Sequence, residues 1–204
     1  MPLRLAVLIS GSGTTLQNLI DRINDKSLDA RIVTVLSSRP DVLGLERARL
    51  AGIPSHTVLR KGVAREQFGQ AMYEHIRAVQ AELVCLAGFL EFLPIPPDFT
   101  HRVMNIHPAL IPAFSGKGFY GAKVHEAALA AGVKISGCTV HFADNEFDHG
   151  PIILQRTVPV LDDDTPDSLS HRVFQAECQA YPEAIQLFAQ NRLHIEGHRV
   201  RIRP

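Results

Sequence analysis

The feature that most constrains the fold is the alternation, through the first half of the chain, of apolar runs of strand length with segments of helical period. Arg4–Ile9 and Arg31–Leu36 are short runs rich in branched apolar residues, as in buried strands. Between such runs, apolar residues recur at helical spacing, for example at Phe68, Met72 and Ile76. Strands that alternate with helices in this way are typical of right-handed βαβ crossovers and a parallel sheet covered by helices.

The second half of the chain predicts strands that extend this sheet. Ile135–Phe142 and Pro151–Leu161 read as strands on either side of an acidic turn, Thr165–Pro166 begins a long helix, and residues 193–202 form a hairpin. We therefore predict an α/β fold in a single domain over residues 1–204. Its mostly parallel twisted sheet is flanked by helices and carries antiparallel additions towards the C-terminus.

Composition excludes several classes of protein. The chain carries 21 Lys and Arg against 21 Asp and Glu, which argues against nucleic-acid binding through a global basic field. Its three cysteines form no C-x-x-C pair, which argues against a disulfide framework or a cysteine zinc site. The first unbroken apolar run, Leu5–Ile9, is too short for a signal-peptide core or a membrane helix. We expect a cytoplasmic protein with no membrane partner.

The glycine-rich segment Ser10–Thr15 lies between a predicted strand and a predicted helix. Glycines permit a tight turn, and a helix start offers unpaired N–H groups and the positive end of its dipole, so a phosphate is the natural ligand. No Gly-Lys-Ser/Thr follows, which excludes a P-loop NTPase. The second strand ends at Ser37–Arg39 without an acidic residue, so only an NADP site would fit among dinucleotides. The alternative that needs no ligand is a turn with Thr15 as helix N-cap.

Asn105 and His107 form a second candidate group. They are two positions apart at the end of a predicted strand, so their side chains point to the same side. Ligands of α/β sheets bind at the carboxyl ends of strands. An imidazole held there by a carboxylate such as Asp148 can carry a proton and stabilise an oxyanion, while the amide polarises a carbonyl. The alternative is a structural histidine in a proline turn, with Asn105 capping the backbone.

Acidic and imidazole side chains crowd the segment 141–149. His141, Asp144, Glu146, Asp148 and His149 are all of metal-binding type. Their irregular spacing matches no known metal-binding pattern, so we expect no metal, and we expect Asp144 and Glu146 to be ordinary acids of a solvated turn.

Taken in order, these motifs resemble the folate-dependent phosphoribosylglycinamide formyltransferases of purine synthesis over nearly the whole chain. The matching segments are Val7–Gln17, Gly44–Arg49, Leu86–Leu90, Asn105–Pro112, Gly137–Phe142, Phe147–Gln155, and Glu177 with Tyr181–Pro182. The resemblance implies a Rossmann-like formyltransferase fold. It also implies that the substrates are 10-formyltetrahydrofolate, as co-substrate, and 5′-phosphoribosylglycinamide.

The resemblance further implies a role for individual residues. The catalytic group would be Asn105, His107 and Asp148, with Asn105 and protonated His107 stabilising an oxyanion and Asp148 favouring the protonated imidazole. The ribotide and its phosphate would contact Gly13, Thr14, Thr15 and Glu177. The folate would contact Arg65, Leu90, Glu91, Phe92, Leu93, Asn105, Asp144, Asn145, Glu146, Phe147 and Asp148. We also expect the glycine-rich loop 115–121 to help close the site.

Other activities stay open at this point. Methionyl-tRNA formyltransferases resemble the chain but carry an additional C-terminal domain, and formyltetrahydrofolate hydrolases carry an additional N-terminal domain. The length of the chain therefore favours a free small-molecule acceptor. A Rossmann-type nucleotide-binding module or an NADP oxidoreductase is the alternative from another class. The sequence leaves a monomer and a homodimer equally open.

Overall fold

The computed structural model describes residues 1–203, which form two compact units, residues 1–104 and the residues from Asn105 onward. None of the helices in this range is long and apolar enough to cross a membrane.

The first unit contains a parallel sheet with helices between its strands. Its strands are β1 (Leu3–Ile9), β2 (Ala30–Ser37), β3 (Ser55–Thr57) and β4 (Leu83–Leu86). They lie in the order β3-β2-β1-β4, and each paired neighbour runs parallel. Its helices are α1 (Thr14–Asn24), α2 (Leu43–Leu50), α3 (Arg65–Ala78) and a short 3-10 helix, Pro97–Phe99.

Burial explains why these segments adopt their predicted forms. Strand β1 is buried except at Arg4, as expected for a central strand covered on both faces. Helix α1 buries Leu16, Leu19 and Ile20, which recur at helical spacing and form one apolar face. Each such side chain contributes about 1.5–3 kcal/mol when it leaves water.

Strand β5 (Val103–His107) carries the chain from the first unit into the second. The second unit then contains α4 (Ala122–Ala130), β6 (Ile135–Phe142), β7 (Ile152–Pro159), α5 (Pro166–Ala189), β8 (Leu193–Glu196) and β9 (Arg199–Ile202). Strands β6 and β7 are antiparallel, as are β8 and β9, whereas β7 and β9 pair in parallel. Helix α5 packs on β6, β7 and α4.

The α/β class and the antiparallel strands near the C-terminus are confirmed. Helix α5 begins as predicted, because the side chain of Thr165 accepts a hydrogen bond from the N–H of Ser168, and the side chain of Ser168 accepts one from the N–H of Thr165. The helix also runs through Pro182, which is buried, and ends only at Ala189.

Candidate active site

The end of β5 and the turn between β6 and β7 bring together Asn105, His107 and Asp148. The Asn105 Nδ2 donates to Asp148 Oδ1 at 3.3 Å. The His107 Nδ1 lies 3.5 Å from Asp148 Oδ2, and the two side chains are only 5% and 11% exposed. Charges interact more strongly in such a setting than in water. The imidazole, amide and carboxylate that the sequence predicts as one group therefore do lie within contact of one another.

Both nitrogens of the His107 ring face acceptors. Its Nε2 lies 2.8 Å from the carbonyl oxygen of Phe114, which can only accept, so Nε2 carries a hydrogen. Its Nδ1 faces the Asp148 carboxylate, which also accepts when ionised. Only the doubly protonated imidazolium donates in both directions. The geometry of His107 therefore suits a cationic ring.

Asp148 is held in a strained backbone conformation. Its φ of 53° lies in the left-handed region, which Asp tolerates better than most residues. Its Oδ2 accepts a hydrogen bond of 2.9 Å from the N–H of Gly116, in the glycine-rich loop 115–121. Unusual backbone conformations of this kind persist where the surroundings hold them, and they concentrate at functional sites.

A fourth polar side chain, His141, completes this group. It is 1% exposed, and its Nε2 lies 3.2 Å from Asn105 Nδ2 and 3.8 Å from Asp148 Oδ1. Burial lowers the pKa of His141. From the sequence, His141 was a candidate only as a metal ligand, because its contact with Asn105 joins residues 36 positions apart.

Two further polar residues, Thr139 and Gln155, fix the segment that follows His107. The Thr139 hydroxyl donates to the Ala109 carbonyl at 2.7 Å and accepts from the Ile111 N–H at 3.0 Å. The Gln155 amide donates to Thr139 Oγ1 and to the Ile111 carbonyl, both at 3.0 Å. Sequence reasoning missed both residues. A threonine within a predicted apolar strand is a usable signal, because such a side chain needs hydrogen-bond partners when it is buried, as Thr139 is.

The turn that precedes Asp148 is closed by an ion pair. Asp144 Oδ2 lies 2.8 Å from His149 Nδ1, and this hydrogen bond raises the pKa of His149. Asp144 Oδ1 accepts from the N–H of Glu146 at 2.9 Å. Asp144 is thus part of the turn's own structure rather than a merely solvated acid, whereas Glu146 is exposed as expected. No three His, Cys, Asp or Glu side chains of residues 1–203 are grouped to hold a metal ion.

In the first unit, the glycine-rich loop leads directly into α1. Gly13 is the N-cap, with φ 70°, and the helix begins at Thr14. The first hydrogen bond of the helix joins the Gln17 N–H to the Gly13 carbonyl at 2.9 Å. The N–H groups of Thr14 and Thr15 therefore have no partner within the helix and can bind an anion. The alternative of Thr15 as N-cap is wrong, since Thr15 is the second residue of the helix.

Helix α2 packs directly against this loop. A Cβ on Gly13 would lie 2.6 Å from Gly44 Cα, and a Cβ on Gly44 would lie 2.5 Å from Ile9 Cδ1. The Arg47 side chain donates from Nε to the Ser12 carbonyl at 3.0 Å. Glycine is therefore required at both positions, and Arg47 places a positive charge beside the loop. The sequence motif that contains Gly44 and Arg47 had suggested no role for either.

The first unit also contains the segment Leu90–Leu93, which Ser10 anchors. The Ser10 hydroxyl accepts from the Leu90 N–H at 2.9 Å and pairs with the Ser38 hydroxyl at 2.7 Å. The Arg65 guanidinium lies over the Phe92 ring, 4.5 Å from its centre. Arg65 and this segment, both predicted to contact folate, therefore do lie together. Ser10 was not among the predicted site residues.

The residues predicted to contact folate differ in exposure. Leu90 is 43% exposed and Phe147 is 42% exposed, so both offer apolar surface to a ligand. Glu91 is partly exposed. Leu93 is only 5% exposed and packs into the core, so its side chain offers almost no surface.

Glu177 lies on α5, and its carboxyl group is in dense surroundings although part of the residue reaches the surface. Burial raises the pKa of Glu177 to about 7. Burial, and secondarily the nearby Glu177, raises the pKa of the Cys138 thiol to about 12, so this cysteine is no reactive nucleophile.

Comparison with known proteins decides the family. The model of the formyl transferase family matches residues 3–185. The chain belongs to the formyl transferase family. This membership sets aside the NADP oxidoreductase and the non-catalytic nucleotide-binding module that the glycine-rich loop left open.

Individual relatives agree with this assignment. The chain is 44% identical over 189 residues to the trifunctional purine biosynthetic protein adenosine-3 of Drosophila melanogaster; this covers 90% of the chain but 14% of that protein. It is 36% identical over 195 residues to the chloroplastic phosphoribosylglycinamide formyltransferase of Arabidopsis thaliana; this match covers 93% of the chain and 66% of that protein. Among solved structures, glycinamide ribonucleotide transformylase 1 from Symbiobacterium toebii superposes with a TM-score of 0.92 at 44% identity, over 100% of this chain and 95% of that one.

Proposed function

We propose that the chain transfers the formyl group of 10-formyltetrahydrofolate to the amino group of 5′-phosphoribosylglycinamide, a step of de novo purine biosynthesis. The names of its relatives support this activity. The observation that carries the proposal is the buried group of Asn105, His107 and Asp148, in which the carboxylate faces both the imidazole ring and the amide.

The reaction forms a bond between the formyl carbon and the glycinamide nitrogen and breaks the bond from that carbon to the folate nitrogen. When substrate binds, the His107 Nε2–H exchanges the Phe114 carbonyl for the oxygen that becomes negative as the amine attacks. The Asn105 amide keeps its contact with His141 and turns its other N–H from Asp148 to the same oxygen. Asp148 balances the positive charge of the ring. The proton lost by the amine passes to the folate nitrogen through water or His107. A donor aimed at such a developing charge contributes about 3–4 kcal/mol.

The first turn of α1 binds the ribotide phosphate in this proposal. The free N–H groups of Thr14 and Thr15 and the positive end of the helix dipole favour an anion, and Arg47 adds a positive charge beside the loop. Gly13 lets the backbone approach closely. Glu177 contacts the ribotide through its carboxyl group.

The residues assigned to folate are of suitable types. Leu90 and Phe147 present apolar surface for a ring system. The Arg65 guanidinium supplies a positive charge for the carboxylates of the folate tail, and Phe92 supports it. Asp144, through its bond with His149, holds the turn that contains Asn145 and Glu146.

The test is a transfer assay with both substrates and with each omitted in turn. Formylated ribotide and free tetrahydrofolate are expected in equal amounts, and only when both substrates are present. Loss of the formyl group without ribotide would identify a hydrolase instead, and no reaction under any condition would overturn the proposal.

We also propose that residues 1–204 act as one formyltransferase domain in the cytoplasm, without nucleic-acid or membrane partners and without a metal. The zero net charge supports the absence of a nucleic-acid partner. Size-exclusion chromatography with light scattering distinguishes the monomer from the homodimer. Treatment with EDTA is expected to leave the transfer rate unchanged.

A further inference from the structure

His141 is held as one particular neutral tautomer. Its Nδ1 lies 3.0 Å from the backbone carbonyl oxygen of Phe142, which can only accept, so Nδ1 carries the hydrogen. In the neutral ring, Nε2 then has a lone pair, and this lone pair faces Asn105 Nδ2 at 3.2 Å.

The surroundings of His141 favour this neutral form. The side chain is 1% exposed, and burial lowers its pKa. The charged groups that act on it are Asp148 and Asp144, which favour protonation, and His107, which opposes it. Because burial is the largest of these effects, Nε2 is available as an acceptor at neutral pH.

We propose that His141 is a positioning residue for the formyl transfer, and that it orients the Asn105 amide by accepting a hydrogen bond from the amide nitrogen. This inference rests on the proposed function. His141 acts through Asn105 and is not required to touch either substrate.

The orientation matters because the two ends of an amide differ in charge. A rotation of the Asn105 amide by half a turn would place Oδ1 beside the Nε2 lone pair of His141 and beside the Asp148 carboxylate. Both contacts would then be repulsive, since all these atoms are acceptors. Asp148 also accepts from Gly116 and faces His107, whereas the side chain that His141 Nε2 meets at hydrogen-bond distance is that of Asn105.

The main test is a double-mutant cycle between His141 and Asn105. His141→Phe keeps a ring of similar size and removes both nitrogens. In the wild-type background it is expected to lower kcat at least about tenfold and to change the KM for ribotide and the KM for formylfolate each less than about twofold. In the Asn105→Ala background, where the amide is already absent, the same substitution is expected to lower kcat less than about twofold. An equal loss in both backgrounds, or none in the first, would overturn the inference.

Two further measurements distinguish the loss of this hydrogen bond from a failure of the His141→Phe variant to fold. His141→Gln replaces the lone pair with an amide oxygen and is expected to recover part of the lost kcat, whereas a structural role for the ring predicts no recovery. The nitrogen chemical shifts of the His141 ring, measured at neutral pH without substrate, are expected to show a protonated Nδ1 and an unprotonated Nε2. A protonated Nε2 would refute the inference. Because this last measurement needs no activity, it separates failure of the inference from failure of the proposed function.

Discussion

At the scale of single residues, Asp148 connects the largest number of groups in the candidate site. It accepts hydrogen bonds from Asn105 and Gly116 and faces the His107 ring. Its side chain is only 11% exposed, so solvent replaces little of what a substitution removes. A neutral side chain at this position would remove the counter-charge on which the imidazolium of the proposed mechanism depends, and an unpaired charge is costly in a poorly solvated site.

We therefore expect Asp148→Asn to lower the transfer rate at least about a hundredfold, and His107→Ala to do the same, while the affinity for ribotide stays within about threefold. Steady-state kinetics and calorimetric titration measure the two quantities. Asp162→Asn is the matched control, because Asp162 is 95% exposed and pairs only with Lys134 at the surface. Near-normal turnover in Asp148→Asn or His107→Ala would remove that residue from the mechanism.

Glu177 gives a prediction about the pH dependence of stability. Burial raises its pKa from 4.5 to about 7 in the folded protein, so the folded state holds a proton that the unfolded state has lost. The stability that this proton contributes is fully present below pH 4.5 and is lost as the pH rises through about 7. Glu177→Gln is therefore expected to be more stable than the wild type at pH 8, by a margin that shrinks towards pH 5.

Urea denaturation at several pH values measures this margin. The exposed Glu126 on α4 provides the matched control, Glu126→Gln. A Glu177→Gln margin that is constant with pH would show that burial does not govern this carboxyl group.

At the scale of secondary-structure elements, the candidate residues lie where elements begin or end. Asn105 and His107 are among the last three residues of strand β5, and Asp148 lies between β6 and β7. Thr14 and Thr15 are the first two residues of helix α1. Strand ends leave side chains accessible, and helix starts leave N–H groups unpaired. The apolar periodicity that defines the elements therefore also determines where polar side chains and unpaired N–H groups come to lie.

For α1 we expect Thr15→Asp to weaken the binding of ribotide, because it adds a negative charge beside the phosphate. Like charges about 4 Å apart repel by roughly 1–4 kcal/mol near a protein surface, which corresponds to at least a fivefold loss of affinity. An acidic residue in the first turn stabilises the helix itself, so unfolding cannot account for the loss.

Calorimetric titration with ribotide at two salt concentrations measures this effect, which is expected to shrink as salt rises. Thr15→Val is the control, since it keeps the backbone N–H and is expected to bind almost normally. Unchanged affinity in Thr15→Asp would argue against a phosphate at this helix start.

The sequence predicted the elements well because apolar periodicity depends on neighbouring residues. Strand β1 was predicted as Arg4–Ile9 and spans Leu3–Ile9 for this reason. The N-cap of α1 was not predicted correctly. Gly13 occupies this position instead of Thr15, because α2 approaches there too closely for any side chain. His141 was missed as a partner of Asn105 for a similar reason, since a contact across 36 positions leaves no local pattern.

At the scale of the whole molecule, the predicted site residues are shared between the two units. The glycine-rich loop Ser10–Thr15 and the segment Leu90–Leu93 belong to the first unit, whereas Asn105, His107, Asp148 and Glu177 belong to the second. The family match ends at residue 185, so the hairpin of β8 and β9 lies outside the matched region.

The hydroxyl of Ser10 has a consequence for how substrates bind. Ser10 is the first residue of the glycine-rich loop Ser10–Thr15, and its hydroxyl also accepts a hydrogen bond from the N–H of Leu90, in the segment predicted to contact folate. If the loop shifts when it binds an anion, this hydrogen bond transmits the shift to Leu90, and the binding of phosphate and of folate would then be coupled. Thermodynamic linkage makes such coupling reciprocal: the factor by which bound phosphate changes the affinity for folate equals the factor by which bound folate changes the affinity for phosphate.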